Sequence, residues 1–141
     1  MHLPTSLFTR SLIMSAITVA LNLILLVILK PLAGVPPTFM TLSFLPVVLW
    51  SILGTTGATV VFVLVKKYAT APEWTFMRIA IGTLIVSFIP DLLLLQVTSG
   101  PFGGATWSAV FVLMLMHIVA AVVSISILLN RPFMRLFGSS Q

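Results

Sequence analysis

Cysteine is absent from these 141 residues, and acid is nearly so, with two Asp or Glu residues against seven Lys and Arg. Without cysteine, disulfides, thiolate metal sites, cysteine nucleophiles and iron–sulfur ligation drop out together. Charge of either sign is scarce, at 6% of residues, where a water-soluble domain carries about a quarter. So little polar surface could not cover a compact body in water. Missing too are a glycine-rich phosphate loop, a nucleophile elbow, a zinc-protease helix and a pair of neighbouring carboxylates. The excess of five positive charges is no nucleic-acid footprint, because the cations stand beside apolar runs and form no basic patch interleaved with aromatics.

What is present is apolar chain: 60% hydrophobic residues and a mean hydropathy of +1.25. Continuous apolar runs occupy residues 12–29, 44–65, 76–97 and 107–129. Each is near the ~20 residues a helix needs to cross about 30 Å of hydrocarbon. They do not alternate and are about twice the length of a barrel strand, so helices are expected. The predicted fold is all-α: a polytopic membrane protein with four transmembrane helices in an up-down bundle, one domain over 1–141. The first run follows Arg10, but "LILLVILKPLAG" offers no small-x-small cleavage site, so it reads as retained rather than as a signal peptide.

Cation placement gives the orientation. Arg10 precedes the first span, Lys66, Lys67 and Arg78 lie around the second connection, and Arg131 and Arg135 follow the fourth span, leaving Lys30 alone on the opposite side. The positive-inside rule puts both termini in the cytoplasm. The connection "KPLAGVPPTFMTLS" is then an external loop whose prolines interrupt helices, and "TSGPFGGATW" a second, glycine-rich one. Tyr68, Trp74 and Trp107 fall at headgroup depth. The tail "RPFMRLFGSSQ" reads as a basic stop after the last span, or as a short segment on the cytoplasmic leaflet through Phe133, Leu136 and Phe137.

Polar groups inside the runs are the informative residues, because a charge near a helix centre costs about 2.5 to 3.5 kcal/mol on insertion scales. With about 1.5 Å of rise per residue, Asp91 lies ~9 Å below the external edge, Asn22 ~11 Å and His117 ~15 Å. These depths allow a cluster of Asn22, Asp91 and His117 if spans one, three and four face each other. Pro90 removes one donor, frees the carbonyl of Val86 and is expected to kink the third helix, with Ser87 able to satisfy part of the exposed backbone. Asp91 then reads either as a proton or ion site that orients His117, or as a hydrogen-bonded acid tying helices together. His117 reads either as a packed residue or as a base or ligand; one histidine in the spans and no cysteine offer no metal site. In the second span Ser51, Thr55 and Thr59 recur every fourth residue with Gly54 and Ala58 beside them, a small-residue packing pattern, and Ala121 and Ser124 extend the face of His117 in the fourth. Asn22 reads as interhelical glue first. Glu73, beside Trp74 in the short connection, is expected to serve the surface.

Two segments carry a resemblance: "FMRIAIGTLIVSFIPDLLLL", with an aromatic and an arginine at its start and the Ser87-x-x-Pro90 turn, and "VFVLMLMHIVAAVVSISIL", with Met116 and His117 followed by Ala120 and Ala121. Over about half of the chain it resembles a family of small bacterial four-helix membrane proteins known only as a domain of unknown function. The resemblance implies four spans in a prokaryotic cytoplasmic membrane and implies no activity.

The expectation for function is a non-enzymatic subunit or accessory of a membrane assembly, or a homo-oligomer, because aqueous segments this small leave lateral contact as the main mode of interaction. Its partners are then the lipid bilayer and other membrane helices, not nucleic acid, and it needs no cofactor. A second expectation is a small transporter or proton-coupled binder of a hydrophobic or cationic solute using Asp91 and His117. A third is a membrane cofactor or enzyme site built on His117 as base or axial ligand.

Overall fold

The computed structural model describes residues 6–100 and 102–129. Four helices form, α1 (Leu7–Leu32), α2 (Phe44–Tyr68), α3 (Pro72–Leu93) and α4 (Trp107–Leu128), with short 3₁₀ turns at Met40–Leu42 and Leu94–Gln96. All four are long and apolar enough to cross a membrane, with mean hydropathies of 2.0 to 2.8 over their most apolar stretches. The tail beginning at Arg131, with Arg135, Phe133, Leu136 and Phe137, lies outside the described residues.

Helix ends are set by local chemistry. Ser6 caps α1, its hydroxyl accepting from the Thr9 amide at 3.2 Å. At the other end the helix runs through Pro31, where an interruption was expected: in the last turn the missing donor costs one backbone bond only. The chain then turns by a Schellman motif, Val35 N–H to the Lys30 carbonyl and Gly34 N–H to that of Pro31, both at 3.1 Å. Gly34 takes φ +60° there, a conformation that favours glycine. Pro72 at the first position and Glu73 in the first turn start α3, four residues before the apolar run begins, so Glu73 is helical and not in a loop. Thr106 caps α4 by accepting from the Ala109 amide at 3.2 Å.

Order around the bundle is α1, α2, α3, α4, with α1 and α3 on a diagonal. Two apolar clusters fill it. At one end Leu26, Val47, Ala109, Val112, Leu113 and Met116 pack beneath Val35, Phe39 and Leu42 of the first loop, so residues 33–43 close that end of the bundle instead of standing off it. Lys30 reinforces the closure, its Nζ donating to the Leu42 carbonyl at 2.6 Å. At the other end Met14, Phe62, Val65, Phe76, Ile125 and Leu128 pack together. Phe62 meets Phe76 edge to face with ring centres 5.1 Å apart, a favoured geometry for aromatic pairs. On α3 only Phe76 and Asp91 are fully buried.

Candidate functional site

Two sets of interior polar groups make contacts between helices, one in each helical hairpin. Between α1 and α2 they form a ladder. Ser11 meets Thr59 at 2.9 Å, Ser15 meets Thr55 at 2.7 Å, and Asn22 donates its Nδ2 to Ser51 Oγ at 2.9 Å. The spacing explains it: residues 11, 15 and 22 recur on one face of α1 and 51, 55 and 59 on one face of α2, so antiparallel packing brings them rung against rung. Thr55 and Thr59 also donate to carbonyls one turn earlier, Ser51 at 2.9 Å and Thr55 at 3.0 Å, which satisfies hydroxyls that would otherwise be bare in an apolar interior. Thr18 Oγ1 and Asn22 Oδ1, one turn apart on the inward face of α1, are buried without a hydrogen-bond partner among the described residues.

Between α3 and α4 stands the second set. Asp91 is buried, and its Oδ2 lies 3.0 Å from Nδ1 of His117. The same ring nitrogen lies 2.9 Å from the carbonyl of Leu113, one turn back along α4. Both neighbours of Nδ1 are acceptors, so the ring carries its hydrogen on that nitrogen. That hydrogen is aimed at the Leu113 carbonyl, and Oδ2, with no aligned hydrogen bond of its own, sits to one side at ion-pair distance. Proton uptake and release are left to Nε2, and the His117 side chain is 40% exposed. With the ring charged, Asp91 and His117 cancel; with the ring neutral, an ionised Asp91 has no counter-charge beside it.

The expected cluster of three therefore resolves into a pair and a separate residue. Asp91 and His117 come together, whereas Asn22 belongs to the α1/α2 ladder: α1 and α3 are diagonal, so α2 and α4 stand between the elements that carry Asn22 and Asp91. Pro90 is exposed and α3 remains helical through it to Leu93. Ser87 donates to the Leu84 carbonyl at 2.7 Å, not to that of Val86. The small residues also divide. Ser51, Thr55 and Ser124 are buried, Thr59, Ala58 and Ala121 are half-buried, and Gly54 faces outward with nothing within 4 Å of where a Cβ would stand. Among the described residues, Gly54 is therefore on the outer face of α2, beside the buried row of Ser51 and Thr55. Gly57, one turn on, is likewise open. Among the described residues no three His, Cys, Asp or Glu side chains gather as a metal would require. Sequence reasoning missed Ser11 and Ser15, whose spacing to Asn22 was the available signal, and Lys30, whose loop partner is a backbone carbonyl.

Fold and pair together define an all-α protein of four apolar helices, each able to cross a membrane, with an acid–imidazole contact between α3 and α4. The chain belongs to a family of unknown function, DUF6069, whose model matches residues 3–132. No curated protein and no solved structure matches it.

Proposed function

We propose that the protein is a non-enzymatic component of a prokaryotic cytoplasmic membrane, with both termini cytoplasmic, and that its working part is the Asp91–His117 pair. The pair acts as a proton-coupled binding point for a hydrophobic or cationic solute. The single observation that carries this reading is the 3.0 Å approach of Asp91 Oδ2 to His117 Nδ1 within apolar surroundings. An intramembrane acid has a function by default because its insertion is costly, and here its neighbour is the side chain whose charge changes in the ordinary pH range. No other titratable group is carried by α4, and on α3 the next are Arg78 and Glu73, thirteen or more residues before Asp91 and roughly 20 Å away.

A solute cation and the positive charge of the protonated ring compete for the same carboxylate, so binding of the cation strengthens as pH rises. The test uses the purified protein in liposomes and tetraphenylphosphonium as the probe. Wild-type protein is expected to retain it in a pH-dependent way, Asp91→Asn to lose retention, and His117→Gln to keep retention but lose its dependence on pH. Retention unchanged in both variants would remove this reading.

A second reading, association with another membrane helix, is favoured by Gly54 and Gly57. Glycine in a helix interior costs about 1 kcal/mol relative to alanine, and both residues have open space beside them within this chain, as suits close approach by a helix of another chain. Because the chain lacks cysteine, Gly54→Cys introduces a single thiol; disulfide-linked dimers in native membranes support a homo-oligomer, and their absence there and in Gly57→Cys counts against one.

A further inference from the structure

Thr18 and Asn22 bring to the interior two polar atoms that the α1/α2 ladder does not use. Thr18 is 0% and Asn22 4% exposed, and neither Thr18 Oγ1 nor Asn22 Oδ1 meets a hydrogen-bond partner among the described residues. Threonines within a helix have a ready alternative, which Thr55 and Thr59 take by donating to a carbonyl one turn back. Thr18 makes no such bond. Asn22 commits its amide nitrogen to Ser51, which leaves its carbonyl oxygen as a bare acceptor. Four residues apart on one helix, the two side chains are neighbours, about 5–6 Å from each other at Cβ. A hydroxyl able to donate thus stands beside an oxygen able to accept, in surroundings where polar atoms nearly always find a partner. The ladder itself marks the place: its rungs stand at Ser11, Ser15 and Asn22, and the turn that carries Thr18 has none among the described residues.

We propose that one water molecule is bound here, accepting from the Thr18 hydroxyl and donating to Asn22 Oδ1. Water fits because the site asks for a ligand that accepts and donates at once and is no larger than a single oxygen. A monovalent cation would find two uncharged oxygens, and neither α1 nor α2 carries an acid to compensate it. The layer has space for a water. Leu26 packs in one apolar cluster with Met116, and Met14 in the other with Ile125, so the level of Thr18 and Asn22 falls on α4 between those two residues. Ala120 and Ala121 stand there and belong to neither cluster, and their single methyl groups leave volume that leucine or isoleucine would fill. The bound water completes a chain from Thr18 through Asn22 to Ser51, which carries the polar contact between α1 and α2 across the turn that lacks a direct rung.

The experiment is a high-resolution crystal structure of the full chain grown in a lipid mesophase, with a second crystal grown in rubidium chloride. Wild-type protein is expected to show one density peak within about 2.5–3.0 Å of both Thr18 Oγ1 and Asn22 Oδ1, without anomalous signal in the rubidium crystal. A direct bond between the two side chains, or no peak, would overturn the proposal, and an anomalous peak would overturn it in favour of a cation site. The wild-type crystals decide this whether or not any variant folds. Infrared spectroscopy supplies the second measurement. The chain has two asparagines, Asn22 and Asn130, so in an Asn130→Gln background asparagine labelled with ¹³C at Cγ reports the Asn22 side-chain carbonyl alone. Adding Thr18→Val, which keeps the shape and removes the hydroxyl, is expected to move that band to higher frequency as the water loses its donor. A band that stays in place would show that Thr18 holds no water on Asn22.

Discussion

Asp91 on α3 faces His117 on α4 across 3.0 Å, and with Phe76 it is one of only two fully buried residues of its helix. The two lie fifteen residues apart, roughly 22 Å along the axis. α3 is therefore pinned to the bundle near its start by an aromatic contact and near its end by a polar one, with no fully buried residue between them. A change in the charge of the pair acts on one of the two points that hold the helix.

Removing one partner should hurt more than removing both. His117→Leu strands the buried carboxyl of Asp91 without its ion-pair partner, and removing one member of such a pair destabilises because the other is left uncompensated. In the double variant Asp91→Leu with His117→Leu nothing is left bare, so thermal unfolding in detergent should place it above the single His117→Leu variant. A double variant that simply sums the two single losses would mean the contact contributes nothing.

The α1/α2 ladder should behave as structure only. Each interhelical hydrogen bond between apolar helices contributes about 0.6 kcal/mol, with measured values up to about 1.7, so Asn22→Leu should cost that much and leave the pH dependence of tetraphenylphosphonium retention intact. If Asn22→Leu abolished retention, Asn22 would belong with Asp91 and His117 after all.

Lys30 fastens the first loop. A hydrogen bond from a charged group is worth about 1.5–3 kcal/mol, and Lys30→Met deletes the one to the Leu42 carbonyl. Amide hydrogen exchange at Val35 and Phe39 is expected to quicken by tenfold or more on the scale of about 1.4 kcal/mol per decade, while the amides of α2 and α4 keep their rates. Unaltered exchange in the loop would show that the apolar contacts of Phe39 and Leu42 close it unaided.

Orientation can be read with single cysteines in this cysteine-free chain. A thiol at Ser99 should react with an impermeant maleimide added to intact cells, and one at Thr70 only after the membrane is opened. The reverse pattern would invert the topology proposed from Arg10, Lys66, Lys67 and Arg78.

The existence and number of the helices were legible in the sequence because four runs of about twenty apolar residues have few other ways to satisfy their backbones in an apolar medium. Their ends were less so. Hydropathy falls off at Pro31 and at Pro72–Glu73, yet α1 runs through Pro31 to Leu32 and α3 begins at Pro72, whose fixed φ suits a first helical position. That Ser51, Thr55 and Thr59 share a face also follows from spacing alone, as does the presence of costly groups at Asn22, Asp91 and His117.

Which of those groups meet was decided by the tertiary structure. Spacing fixes the face a residue occupies on its own helix, but not the rotation of that helix against its neighbours or which pairs are diagonal. Setting α3 against α4 and away from α1 joined Asp91 to His117 and gave Asn22 to Ser51. The same arrangement turned Gly54 outward and gathered Arg10, Lys66 and Glu73, sixty-three residues apart at the extremes, around one cavity. Sequence placed the polar residues along the helix axes; only packing, which ranks whole helix faces by how well they exclude one another's voids, chose their partners.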